Sequence, residues 1–150
     1  MKCIFQEQPL TQYETVRSYI LDNGNIILIS NGKVIDEKHF NDCIDKFNFK
    51  PNLYVLYIKK SADTKWQIRY IGQRKSDGIK QRLREHLIYC NPKTGSKYSK
   101  VQDALADGYE IGIKLLRITD LDDTEHIRLT YETKLIEEFR TQLTWNKKQQ

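Results

Sequence analysis

Residues 53–72 decide the fold, and they read LYVLYIKKSADTKWQIRYIG. The first part, residues 53–59, is a dense run of β-branched, aromatic and aliphatic side chains of strand length, and residues 61–64 are typical of a turn. Residues 66–72 then alternate between apolar and polar side chains, as a strand with one exposed face does. The stretch therefore predicts two paired strands joined by a short turn.

Helical periodicity follows the second strand. Ile79, Leu83 and Leu87 recur every four residues and predict a helix over about 78–89, with Ser76-Asp77 as its N-cap. The later segments predict a second short helix over 98–106, a third strand over 109–118 and a long helix over 124–143 that Asp122-Asp123-Thr124 caps. This order favours an α+β fold, in which helices flank a small three-stranded antiparallel sheet.

The first fifty residues predict a further unit in front of this core. A strand over 25–30, the dipeptide Asn31-Gly32 and a second strand over 33–36 form the strongest short hairpin signal. A helix over about 37–47 follows, and a short helix over 15–21 precedes. We therefore expect residues 1–50 to be an N-terminal hairpin and helix extension packed on the core, which comprises residues 51–150.

The composition excludes several classes of protein. The chain has 150 residues, of which 39% are hydrophobic, so it is long and apolar enough for one folded domain. Its apolar runs are too short to cross a bilayer, and its first residues break into polar side chains, unlike a signal peptide. The three cysteines form neither a Cys-x-x-Cys pair nor a zinc pattern. We expect an intracellular, cytoplasmic protein with reduced thiols.

Positive charge is concentrated in the middle third of the sequence. The net charge is −1 over residues 1–50, +9 over residues 51–100 and −3 over residues 101–150. A concentrated positive face is typical of a protein that binds a polyanion, most simply nucleic acid. A solvated surface, balanced by the acidic last third, explains the charge about equally well.

Three polar side chains lie beside predicted apolar stripes. The stripe of the long helix consists of Leu129, Leu135, Ile136, Phe139 and Leu143. Glu132 falls on or beside this stripe, where a carboxylate needs a cation, a metal or strong donors unless it reaches water at the edge. On the basic helix, Arg82 and His86 are four residues apart and share a face. An amphipathic helix with an ordinary basic exterior is the alternative.

These residues stand in an order that resembles the GIY-YIG nuclease family. The two strand triplets of the family would be Val55-Leu56-Tyr57 and Tyr70-Ile71-Gly72, followed by Arg82, His86, Glu132 and Asn146. The resemblance covers about residues 53–146. The first triplet begins with Val55 rather than glycine, and the spacing of the two tyrosines is slightly long. Tyr54 therefore competes for the place of the first tyrosine.

The resemblance implies a role for each residue. Tyr57 would be the base that activates water, and Tyr70 would help to orient that water. Arg82 would bind the scissile phosphate, and His86 would orient groups or relay protons. Glu132 would hold one Mg²⁺, which Mn²⁺ can replace, and this ion would stabilise the leaving oxygen and the charge at phosphorus.

The expected activity is hydrolysis of phosphodiester bonds in double-stranded DNA by a metal-dependent endonuclease. A small stand-alone chain favours a type II restriction endonuclease; a phage-type endonuclease of looser specificity, or a non-catalytic nucleic-acid-binding protein on the same scaffold, is the alternative. Monomer and homodimer both stay open, and no membrane partner is expected. Asn146 would tie the chain end into the site. The predicted DNA contacts are Arg74, Lys75, Lys80, Arg84, Lys93, Lys97 and Lys100.

Overall fold

The computed structural model describes residues 12–32, 34–47, 50–63, 65–91, 93, 96–118 and 124–146. Within these ranges the strands are β1 (Ile27–Ser30), β2 (Leu53–Lys60), β3 (Gln67–Gln73) and β4 (Tyr109–Leu116). The helices are α1 (Tyr13–Leu21), α2 (Glu37–Asp45), α3 (Ile79–Leu87), α4 (Tyr98–Ala106) and α5 (Glu125–Glu138). None of these helices combines the length and the apolarity that crossing a membrane requires. The predicted α+β class is confirmed.

The strands form one antiparallel sheet in the order β1-β4-β2-β3. The sheet therefore has four strands, and the predicted number of three was wrong. The central strand β2 is buried on both faces, because helices cover the sheet on both sides. Burying each of its aliphatic side chains contributes about 1.5–3 kcal/mol, so this strand is the centre of the core.

The fourth strand comes from the segment that was predicted to be a hairpin. β1 pairs with β4, with Ile27 opposite Ile113, and residues 34–36 are not in a strand. Lys33 lies outside the described residues. Asn31-Gly32 still makes a turn, and Gly32 has a φ of 101°, which favours glycine. The hairpin was wrong because β1 takes its backbone partner from β4 and not from residues 34–36, where Ile35 packs its side chain into the core and Val34 is 87% exposed.

Each face of the sheet has its own core. Side chains of β2 on one face, including Tyr54 and Leu56, pack with α2, α3 and α4. Side chains on the other face, including Val55 and Tyr57, pack with α1 and α5. A register shift between β2 and β3 places Tyr57 opposite Ile68, whereas Leu56 lies opposite Tyr70. A bulge of this kind re-aims the side chains that follow it.

The helix ends differ in detail from the predicted ones. Thr124 caps α5, since its hydroxyl accepts a hydrogen bond from the amide of Ile127; Asp122 and Asp123 lie outside the described residues. α5 ends at Glu138, short of residue 143. Leu129 on its predicted stripe is 40% exposed, so that part of the stripe was wrong, and the neighbouring Arg128 is buried instead. A 3₁₀ turn over Ser76–Gly78 leads into α3, whose N-cap is Gly78 rather than Ser76 or Asp77.

Candidate active site

Three of the predicted site residues, Tyr70, Arg82 and His86, meet the competing tyrosine Tyr54 where β2, β3 and α3 pack together. Tyr54 Oη lies 2.9 Å from His86 Nε2. The ring centroids of Tyr54 and Tyr70 are 6.0 Å apart, and those of Tyr70 and His86 are 5.1 Å apart. Arg82 lies close enough to Tyr54 and Tyr70 for both to raise the pKa of its guanidinium group. We call Tyr54, Tyr70, Arg82 and His86 the tyrosine cluster.

Strand register and helix periodicity explain why these residues converge. Leu56 pairs with Tyr70 and Tyr54 pairs with Gly72, so the two tyrosines project from the same face of the sheet. Arg82 and His86 lie one helical turn apart on α3, and both are buried against that face. The predicted shared face of Arg82 and His86 is therefore the face that α3 turns to the sheet.

Gly72 makes room for the Tyr54 ring. A Cβ atom built on Gly72 would come within 2.3 Å of both Cζ and Oη of Tyr54, far inside van der Waals contact. The φ of Gly72 is not in the left-handed region, so the requirement for glycine here is one of space and not of backbone conformation. The last residue of the Tyr-Ile-Gly triplet thus serves the tyrosine of the neighbouring strand.

Tyr57, predicted as the base, lies on the other face of the sheet. Its hydroxyl donates a hydrogen bond to the carbonyl oxygen of Ile20, at 2.7 Å, and the side chain is 2% exposed. Burial, with smaller effects of Tyr19 and Asp22, raises the pKa of Tyr57 well above 10.0. Tyr57 and Tyr54 do face opposite ways, as expected, and the structure does not bring Tyr57 to the other predicted site residues. Tyr54 is the tyrosine of β2 that joins Arg82 and His86.

Arg82 is an almost fully buried cation. It is 8% exposed, and its NH1 lies 3.1 Å from Oε1 of Glu85. Burial acts to lower the pKa of Arg82, but the tyrosines and the hydrogen bond with Glu85 outweigh it, so that the pKa is raised. Arg82 and Glu85 line a cavity of about 240 Å³ together with Arg74, Gly78 and Gln81. Two arginines and one glutamate therefore border this cavity.

His86 and Tyr54 are both held in their neutral forms. Burial, together with the positive charges of Arg82 and Lys97, lowers the pKa of His86 to about 3. Burial raises the pKa of Tyr54 well above 10.0, Tyr70 raises it further, and Arg82 acts in the opposite direction. At neutral pH the cluster therefore contains one permanent cation, Arg82, and two uncharged rings in hydrogen-bonding contact.

Glu132 lies on α5, beside the end of β3. It is half-buried, and its carboxylate accepts a hydrogen bond from the backbone amide of Gln73. Burial raises the pKa of Glu132, while the Gln73 hydrogen bond and the charge of Arg74 lower it. The positive charge of Arg74 lowers the pKa of both Glu132 and His86. The described residues contain no group of three or more acidic, histidine or cysteine side chains that could hold a metal.

Arg128 is a supporting residue that the sequence reasoning missed. Its Nε donates to the side-chain oxygen of Gln73 at 2.8 Å, and it is 7% exposed. Gln73 is thereby tied to α5 through its side chain, and its backbone amide meets Glu132 on the same helix. An arginine inside a predicted amphipathic helix normally points to water, so its sequence position carries no signal of this role.

Asn146 fastens the outer edge of β3. Its Oδ1 accepts from the amide of Ile71 and its Nδ2 donates to the carbonyl of Ile71, both at 2.8 Å. These two bonds satisfy backbone groups on the edge of the sheet between Tyr70 and Gly72. The predicted role of Asn146 in tying the chain end into the site agrees with this contact, which positions the strand and leaves Asn146 outside the tyrosine cluster.

The predicted DNA contacts differ in their surroundings. Lys97 and Lys100 lie at the start of α4, and Lys97 Nζ is 5.7 Å from the centroid of Tyr70. Lys80 and Arg84 instead form ion pairs with α2, at 2.8 Å to Asp45 and 3.1 Å to Glu37. The exposed members are Arg74, Lys75, Lys93 and Lys100.

Comparison with known proteins gives no match for this chain. No protein-family model, no curated protein and no solved structure matches it. The fold and the site define only a class: an α+β chain in which two tyrosines, an arginine and a neutral histidine are in contact on one sheet face. A function for the chain therefore has to be argued from those contacts.

Proposed function

We propose that this protein is a metal-dependent DNA endonuclease whose site resembles that of the GIY-YIG nucleases. The observation that carries the proposal is the contact of Tyr54, Tyr70, Arg82 and His86, which come from β2, β3 and α3. Packing alone does not require a buried arginine beside two tyrosines, and burying a charge is costly even when, like Arg82, it is paired with a carboxylate. With Tyr54 as the first tyrosine, Asn52-Leu53-Tyr54 takes the place of the first family triplet.

Arg82 is the group suited to the scissile phosphate. Its guanidinium is always charged, is held by Glu85 at 3.1 Å, and borders the small cavity that Arg74 shares. A preorganised donor of this kind stabilises charge that develops in the transition state without reorganising. Tyr54 and Tyr70 add two hydroxyl groups beside it, and of these Tyr70 is only half-buried and can meet a water or a substrate oxygen.

Glu132 fits a single-carboxylate site for Mg²⁺ or Mn²⁺. The carboxylate is half-buried and uses one hydrogen bond, from Gln73, which leaves oxygen lone pairs for a hard cation. Water and phosphate oxygens would complete such a coordination shell. When bound, the ion supplies stabilisation of the leaving oxygen and of negative charge on the phosphate. This chain's own part is to hold the carboxylate on α5 against the end of β3.

The proposed substrate is double-stranded DNA, and the proposed specific form is a type II restriction endonuclease. Positive charge around the site supports a nucleic-acid substrate: Arg74 and Lys100 are exposed, and Lys97 lies over the Tyr70 ring. Contacts of this kind supply salt-dependent, sequence-independent affinity. Lys80 and Arg84 add less to this surface, because each is already paired with an acidic residue of α2.

The test is digestion of unmodified plasmid and phage DNA with Mg²⁺, with end mapping of the products. Glu132→Gln should abolish cleavage and keep the gel shift, whereas the matched control Glu137→Gln, an exposed position on the same helix, should cleave normally. Discrete bands support restriction, and a smear supports looser specificity. Intact DNA with a gel shift supports a binding protein, and full Mg²⁺-dependent cleavage by Glu132→Gln refutes the metal role.

A further inference from the structure

The start of α4 makes a backbone contact with the buried ring of His86. The amide nitrogen of Lys97 lies 2.9 Å from Nδ1 of His86, while the other ring nitrogen, Nε2, is the atom 2.9 Å from Tyr54 Oη. His86 is 0% exposed, so both ring nitrogens are occupied by protein groups. Lys97 is the N-cap residue of α4, and this helix thus reaches the tyrosine cluster through its first amide.

These two contacts fix the position of the proton on the ring. A backbone amide can only donate a hydrogen bond, so Nδ1 of His86 must present its lone pair to Lys97. A neutral imidazole carries a single proton, which must then lie on Nε2. The Nε2–H group therefore donates to Tyr54 Oη. Tyr70 raises the pKa of Tyr54 and the positive charge of Arg82 lowers it, so both groups lie near this hydroxyl.

We propose that His86 is a positioning residue, which the Lys97 amide locks in the Nε2–H tautomer to orient Tyr54, and that it exchanges no proton during the reaction. This proposal rests on the proposed nuclease function and deepens it. The charged groups that face the ring are Arg82, Lys97, Arg74 and Glu85, and the three cations outweigh the one acid in opposing a second ring proton.

The two tyrosines of the cluster differ in exposure. Tyr54 is 1% exposed and is hydrogen-bonded to His86, whereas Tyr70 is half-buried. The hydroxyl that meets solvent or substrate is therefore that of Tyr70. The hydrogen bond from the Lys97 backbone amide to His86 ties the start of α4 to the tyrosine cluster. This tie does not depend on what the Lys97 side chain contacts.

The first test measures the tautomer itself, on the wild-type protein without DNA. Nitrogen-15 NMR should find His86 Nδ1 without a proton and Nε2 with one, unchanged between pH 8 and pH 5; His86→Gln assigns the signals, and the exposed His126 is the internal comparison. A proton on Nδ1, or a doubly protonated ring at neutral pH, overturns the proposal. This readout needs no cleavage, so it separates the proposal from the proposed function.

The second test compares two amides that imitate different ring nitrogens. The side-chain nitrogen of His86→Gln can reach the position of Nε2 and donate to Tyr54, whereas the oxygen of His86→Asn can accept from Lys97 but cannot reach Tyr54. We expect His86→Gln to keep turnover within about tenfold of the wild type and His86→Asn to lose about 100-fold or more. If His86 instead carried a proton during the reaction, both variants would lose about 10²–10⁴-fold. Equal large losses in two folded variants refute the proposal, and an inactive wild type refutes the proposed function instead.

Discussion

Replacing Gly72 by alanine puts one methyl group where the Tyr54 ring lies. The new Cβ would be 2.3 Å from Cζ and Oη of Tyr54, and ordinary contact begins at 3.4 Å, so the ring has to retreat by more than 1 Å. The ring is 1% exposed and His86 closes its far side, at 2.9 Å from the hydroxyl. The methyl group therefore strains the core or breaks the Tyr54–His86 hydrogen bond.

The magnitude follows from these two routes. Overpacking a core with one extra group costs about 1–3 kcal/mol. A buried hydrogen-bonding group left without its partner costs about 1–3 kcal/mol more, and alanine recovers about 0.4–1 kcal/mol by restricting the unfolded chain. We expect Gly72→Ala to lower the free energy of unfolding by about 2–4 kcal/mol, and to lower cleavage because Tyr54 leaves its position.

Urea denaturation measures this cost, and two further variants isolate its cause. Gly78→Ala is the matched control, since a Cβ there meets nothing within 4 Å, and its midpoint should stay close to that of the wild type. In a Tyr54→Ala background the clash partner is gone, so Gly72→Ala should no longer destabilise the protein. An equal cost of Gly72→Ala with and without the Tyr54 ring would refute the reasoning.

Three other comparisons test separate parts of the site. Tyr54→Phe should slow single-turnover cleavage by about 100-fold or more. Tyr57→Phe should leave cleavage intact and lower the free energy of unfolding by about 1 kcal/mol through its lost hydrogen bond. The opposite pattern would restore Tyr57 as the site residue. The fold should lose stability as the pH falls from 6.5 towards 3, because the unfolded chain binds a proton that the buried His86 ring, with its pKa of about 3, does not; denaturation midpoints against pH should show a smaller loss for His86→Gln. Lys100→Ala should reduce the salt dependence of DNA affinity by about one phosphate contact, measured by fluorescence anisotropy, and Lys80→Ala should do so less because Lys80 is paired at 2.8 Å with Asp45.

Local pattern was sufficient to predict most elements of the fold. The predicted bounds of β2 differ from the observed ones by one residue at one end, those of β3 by one residue at both ends, and those of α4 are the same. Periodicities of 2 and 3.6 residues are properties of a short stretch and can be recognised there. The partner of a strand is not such a property. Asn31-Gly32 indicated a hairpin, but β1 pairs with β4, more than 80 residues further along the chain, which no local pattern contains.

The candidate site could be predicted only in part, for a related reason. Arg82, His86 and Tyr70 were named from the sequence because their order and spacing resemble those of the GIY-YIG family. The choice between Tyr54 and Tyr57 could not be made from alternation, because β2 is buried on both faces and both residues stand in an apolar run. Arg128 and Lys114 were missed because a buried cation is recognised from the groups that contact it in the fold, and these groups are distant from it in the sequence. Lys114 donates to the carbonyls of Tyr19 and Asp22, and burial lowers its pKa to about 8.

In the proposed alignment with Tyr54 as the first tyrosine, Asn52 stands where the family has glycine. Asn52 is 0% exposed and has a structural role of its own. Its side chain donates to the carbonyl of Ile118 at 3.1 Å and accepts from the amide of Ile118 at 2.9 Å. Glycine could not make this pair of bonds, which ties the start of β2 to the chain just after β4. Asn146 makes the same kind of pair with Ile71 on β3, so asparagine side chains fasten both strands that carry the two tyrosines.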